Sequence, residues 1–140
     1  MEERIKDKIE EIEKYLDELK SIFPEEFENY KNNIEKKAAC ERYFDKIMEA
    51  TTDLAFFMIK HNKISAPEDD LGSFMKLSEL GLISKELSIK LREAKQMRNF
   101  IVHRYKFIDD LTVFNTLKEE LFKDIEDFLN NIEAGKIKNE

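Results

Sequence analysis

Apolar residues recur on a helical period along almost the whole chain. Ile5, Ile9, Ile12, Leu16 and Leu19 alternate steps of four and three, with Glu and Lys between them, which predicts an amphipathic helix with one buried seam. The seam is shorter than the run of heptads a free coiled coil needs, so a bundle helix is expected. Ser21-Ile22-Phe23-Pro24 ends it, and Pro24-Glu25-Glu26 predicts a new helix start, with acidic residues in the first turn. From Glu25 to Asn62 there is neither Gly nor Pro, and Ile34, Ala38, Tyr43, Ile47, Ala50, Leu54, Phe57 and Met58 predict one long helix. A kink or interruption is expected near Asn32-Asn33, and the stretch Met48 to Ile59 is apolar enough to lie centrally.

Asn62 to Ser73, with Pro67, Asp69, Asp70 and Gly72, predicts a loop. Ser73 then caps a short helix through Glu79, which Gly81 ends in the left-handed conformation. Ser84 caps a helix whose inward stripe is Leu87, Leu91, Ala94, Met97 and Ile101, with Arg98 at the margin of that stripe. Phe107 to Asp110 turns the chain into a last helix, Leu111 to Ile132, with Phe114, Leu117, Leu121, Ile125, Phe128 and Ile132 as its seam. Gly135 is expected to end it. The prediction is one domain over residues 1–134 and a frayed tail over 135–140, with no internal repeat.

Composition narrows the class. Only 3 Gly and 2 Pro among 140 residues, with 39% charged and 41% hydrophobic, predict an all-α bundle of about five helices. Cys40 is the only cysteine, so one chain makes no internal disulfide and no thiolate zinc site, and a half-buried structural role is expected. The N-terminus carries no apolar leader core and no run approaches the length of a membrane span, which predicts a cytoplasmic protein. His61 falls in a helix's last turn, where the dipole favours it. Glu68, Asp69 and Asp70 match no calcium-loop spacing, and Met58 and Phe100 stand where a carboxylate di-metal bundle needs glutamates, so no metal site is predicted.

The stretch with candidate chemistry is Arg98-Asn99-Phe100-Ile101-Val102-His103-Arg104-Tyr105. It supplies a permanent cation, a group that titrates near neutrality and a phenol, a set suited to phosphate chemistry. From Lys85 to Lys106 seven basic residues oppose two acidic ones, a local +5 that leaves −12 for the rest of a chain of net charge −7. A positive stripe on an acidic protein is a candidate phosphate-binding face. Helix geometry puts Arg98 and Tyr105 on one face but turns His103 roughly 140° away from Arg98. Either the helix loosens near Val102 and His103, or a second copy of the chain completes the site. Glu49 and Asp53 stand i,i+4 on the central helix, and either is a candidate to orient Arg98.

Arg98, four residues, His103, one residue and Tyr105 resemble the R-x4-H-x-Y signature of the HepT-like toxins, members of the HEPN superfamily of small all-helical ribonucleases. The resemblance extends to length, helix order and the position of the motif before the last helix. It implies an up-and-down, homodimeric bundle that cuts RNA, with transfer RNA a reasonable substrate, and that needs neither metal nor cofactor. Arg98 would bind phosphate and stabilise the transition state, His103 would move protons, and Asn99 would hold the pair in place. Asp53, or Glu49, would support Arg98. The resemblance further implies a type VII toxin-antitoxin pair, in which an MntA-like nucleotidyltransferase antitoxin transfers AMP to Tyr105, with a larger hetero-oligomer as one form of that complex. The alternative is a non-catalytic HEPN subunit that binds substrate or scaffolds a nucleotidyltransferase. A helix-turn-helix DNA binder is disfavoured by the acidity of the chain.

Overall fold

The structure, a computed structural model, describes residues 2–62, 70–103 and 109–138. It contains α1 (Glu2–Ile22), α2 (Phe27–Lys31), α3 (Ile34–His61), α4 (Asp70–Glu79), α5 (Lys85–His103), α6 (Asp110–Thr116), a π-helical turn (Leu117–Leu121) and α7 (Phe122–Lys138), with no strand among the described residues. Counting α6, the π turn and α7 as one rod, the five helices expected are present, with the short α2 added between α1 and α3.

The α1 seam is buried as its spacing predicts, from Ile5 to Leu19. At roughly 1.5–3 kcal/mol for each buried aliphatic side chain, the seam outweighs surface pairs such as Lys8–Glu11, worth about 0.2–0.5 kcal/mol. The partner of α1 is α3. Arg4 lies 4.4 Å over the Phe57 ring, Lys8 reaches Asp53 at 3.7 Å and Lys46 lies 5.4 Å from the Tyr15 ring. Numbers rising on one helix fall on the other, so the two run antiparallel.

The predicted break at Asn32-Asn33 is a true interruption, and Asn33 caps α3 by accepting a hydrogen bond from the Lys36 N–H at 3.0 Å. The start at Pro24 comes later than expected: residues 25 and 26 form a bend and α2 begins at Phe27. Phe23 and Phe27 turn inward here, with Phe23 stacked on Phe114 at 5.2 Å and Phe27 edge-on to it at 5.6 Å. This aromatic contact ties the α1–α2 corner to α6.

Three further expectations are corrected. Ser73 does not cap α4; it is buried within the helix, which begins at Asp70. Nor does Gly135 end the last helix. α7 runs through it to Lys138, because the missing side chain lets Leu82 approach: a Cβ there would stand 2.5 Å from Leu82 Cδ2. Gly81 does take φ +79, and the Leu82 N–H bonds the Leu77 carbonyl at 3.0 Å to close α4. Ser84 caps α5 by accepting from the Leu87 N–H at 3.0 Å. Cys40 is wholly buried rather than half-buried, and burial pushes its thiol up to about 11, which leaves it inert near neutrality. Among the described residues no helix is long and apolar enough to cross a membrane.

Candidate functional site

The site lies where α5 crosses α3. α5 buries Leu87, Ser88 and Leu91, and the same stripe continues at steps of four and three to Lys95 and Arg98. Polar residues therefore occupy positions that the period assigns to the interior. Lys95 is 1% exposed and the Arg98 side chain 14%. Part of the basic stripe read from the sequence thus faces the protein and not solvent.

Acids on α3 receive them. The Arg98 Nε–H donates to Asp45 Oδ1 at 2.7 Å, its NH1 donates to Asn99 Oδ1 at 2.9 Å, and its NH2 pairs with Glu49 Oε1. The same Glu49 oxygen lies 3.4 Å from Lys95 Nζ. Asp45 also accepts from Arg42 NH1 at 2.6 Å. All three guanidinium nitrogens are held, two by carboxylates, so the plane of Arg98 is fixed before any ligand arrives.

Of the two carboxylates the sequence offered, Glu49 reaches Arg98 and Asp53 does not. Successive i,i+4 positions drift by roughly 40°, so Asp53 stands roughly 80° around α3 from Asp45 and faces α1, where it pairs with Lys8. Desolvation, helped by the nearby Glu49 and Glu11 charges, raises the Asp53 carboxyl pKa against the opposing pull of Lys8. Asp45 and Lys95 were missed as site residues. The acidic ladder Asp45, Glu49, Asp53 was the available signal, and its first two rungs are the ones that face α5.

His103 is the last residue of α5 and is exposed, beside Val102, which is 41% exposed. The helix remains α-helical to that point, so the loosening considered at Val102 and His103 does not occur. One rigid helix cannot turn Arg98 and His103 onto a single small ligand, since they differ by roughly 140° and about 7.5 Å of rise. Tyr105 lies outside the described residues. Among the described residues no cluster of His, Cys, Asp and Glu could hold a metal ion.

The sequence model of one protein family, Ribonuclease HepT-like, matches residues 12–132. A protein of Archaeoglobus fulgidus is 30% identical over 137 residues, covering 94% of this chain and 97% of that protein. A tRNA nuclease HepT of Aphanizomenon flos-aquae is 26% identical over 110 residues, 79% of this chain and 75% of the relative. In three dimensions the chain matches a tri-AMPylated HEPN toxin of Shewanella oneidensis, solved in complex with MNT antitoxin, at a TM-score of 0.89, with 22% identity and coverage of 96% and 99% of the two chains.

Proposed function

This chain belongs to the HepT-like ribonuclease family, and from that premise we propose that it is a metal-independent endoribonuclease acting as the toxin of a toxin-antitoxin pair in the cytoplasm. The observation that carries the reading is the fixed guanidinium of Arg98, held by Asp45, Asn99 and Glu49, five residues before an exposed histidine on the same helix.

The chemistry follows from the reaction. Cleavage at a ribonucleotide needs a base to take the 2′-hydroxyl proton, an acid for the departing 5′-oxygen, and positive charge beside the pentavalent phosphate. Arg98 supplies the charge, and its fork matches phosphate oxygens. His103 takes or gives the proton, because imidazole serves both roles near neutral pH. Since Arg98 and His103 of one chain face different ways, the site pairs the Arg98 of one protomer with the His103 of its partner across a two-fold axis. The exposed Val102 beside His103 suits burial in that contact.

Tyr105 is the proposed acceptor of AMP from a nucleotidyltransferase antitoxin, on the strength of the motif it completes. A nucleotide there would block RNA by bulk and by like charge. RNA is the substrate class, and the name of the Aphanizomenon relative favours transfer RNA within it.

Labelled RNA incubated with the unmodified chain in excess chelator tests this reading. The expected result is cutting that persists in chelator and leaves a 2′,3′-cyclic phosphate on the 5′ fragment, as attack by the 2′-hydroxyl requires. Cleavage abolished by chelator, or a 5′-phosphate on the 3′ fragment, would point to a metal-bound water as nucleophile and overturn it.

A further inference from the structure

Three of the five N–H groups of Arg98 are engaged, one on each nitrogen. A phosphate that takes the place of one acceptor gains a donor already aimed, and the three acceptors differ in how readily they can leave. Asp45, 13% exposed, anchors Nε and is itself held by Arg42. Asn99 is the next residue on the same helix and moves with Arg98. Glu49 alone is half exposed, at 49%, and alone has a second cation on the very oxygen that Arg98 holds.

From this we infer that Glu49 is an exchangeable ligand of Arg98, and that Lys95 is the residue which makes the exchange possible by retaining the Glu49 carboxylate when a phosphodiester oxygen takes its place on the Arg98 NH2. Lys95 is 1% exposed, so it touches no substrate; it is a positioning residue that acts through Glu49. The Nε bond to Asp45 survives the exchange, so the guanidinium need not swing, and phosphate arrives at a donor already aimed. No bond is made or broken covalently; one hydrogen-bond acceptor replaces another. With Glu49 on Lys95, the charge that would have repelled the phosphate is neutralised where it stands.

The inference rests on the ribonuclease reading but is separable from it. Binding of a fluorescent 2′-O-methyl RNA oligonucleotide, which cannot be cut through its blocked 2′ positions, is measured by anisotropy at fixed salt, beside cleavage of ordinary RNA by the same wild-type sample. Glu49→Gln is expected to bind the oligonucleotide roughly three- to tenfold more tightly, because the competitor for Arg98 has lost its charge. Lys95→Met is expected to bind more weakly by a similar factor, because Glu49 then has only Arg98 to pair with. The deciding comparison is the double variant. If Lys95 works through Glu49, then Lys95→Met costs nothing once Glu49 is Gln, and the double variant binds like Glu49→Gln. An equal loss in both backgrounds would mean Lys95 contributes only long-range charge, and the inference fails.

Asp53→Asn makes the same charge change one turn further along α3, away from Arg98. A gain as large as that of Glu49→Gln would reduce the effect to net charge and also overturn the exchange. That comparison decides the matter even if Lys95→Met does not fold. Wild-type cleavage with the binding order absent removes the exchange and leaves the ribonuclease; the binding order without cleavage keeps the exchange and removes the ribonuclease; neither binding nor cleavage removes both.

Discussion

Chains carrying Arg98→Ala mixed with chains carrying His103→Ala should recover about a quarter of wild-type RNA cleavage, although each variant alone falls by a factor on the order of 10² to 10³. The size of the recovery follows from the geometry. α5 is a regular helix through His103, and a regular helix points Arg98 and His103 in different directions. If each site takes its arginine from one protomer and its histidine from the other, a mixed dimer contains one site with both residues intact and one with neither. Random exchange makes about half the dimers mixed, and each keeps about half its sites. If both residues came from the same chain, every site in every mixed dimer would lack one of them and mixing would restore nothing. Cleavage rates before and after mild dissociation and reassociation of the two variants measure this directly, with the dimer mass checked in each sample.

Asp45→Asn should lower RNA cleavage by about 10²-fold, with most of the loss in kcat, because Asp45 fixes the plane of the guanidinium rather than touching substrate. The pair it breaks is short and enclosed, 2.7 Å between side chains 14% and 13% exposed. Removing one partner of such a pair leaves a charge in poor solvent, which costs about 3–5 kcal/mol when nothing replaces it. Here the neighbouring Glu49 keeps part of the compensation and Asn keeps an acceptor, so a loss of about 1–3 kcal/mol in unfolding free energy is expected. Denaturant unfolding and steady-state kinetics on the same preparation separate the two effects. A destabilised variant with wild-type kcat would make Asp45 a purely structural ion-pair partner. Asp53→Asn is the matched control, and it should leave kcat unchanged because Asp53 pairs with Lys8 on α1.

The parts of the fold that were legible in the sequence are those fixed by local period and local chemistry. The α1 seam, the Asn32-Asn33 break, the Ser84 cap and the left-handed Gly81 each depend on residues within a turn or two of one another. What was not legible depends on a partner brought from far along the chain. Gly135 reads as a helix end until Leu82 is seen lying where its side chain would be. Ser73 reads as a cap, but α4 gains a turn before it, so the serine falls on the buried face.

The candidate site divides in the same way. Arg98, Asn99 and His103 could be found because they share one helix, and the Arg98–Asn99 contact is between neighbours in sequence. The supporting carboxylate was half found. An i,i+4 pair of acids on α3 marks a face, but three acids stand at that spacing, and which two meet α5 is set by where α5 packs on α3. Asp45 and Glu49 meet it, and Asp53 has drifted round to α1. Lys95 falls in the positive stripe read as a candidate phosphate-binding face, because a lysine is seldom buried, yet its place on the Leu87–Leu91 stripe is visible in the spacing.

Cleavage of labelled transfer RNA by the wild-type chain and by His103→Ala, side by side, with the intact mass and the dimer mass of each sample recorded, tests the ribonuclease most directly. The expected result is cutting by the wild-type protein that disappears in the variant while the dimer is retained, or, where wild type is silent, an added mass of one or more AMP groups that explains the silence. An unmodified, folded, dimeric wild-type chain that cuts no RNA, or a His103→Ala variant that cuts as well as wild type, would contradict the ribonuclease reading.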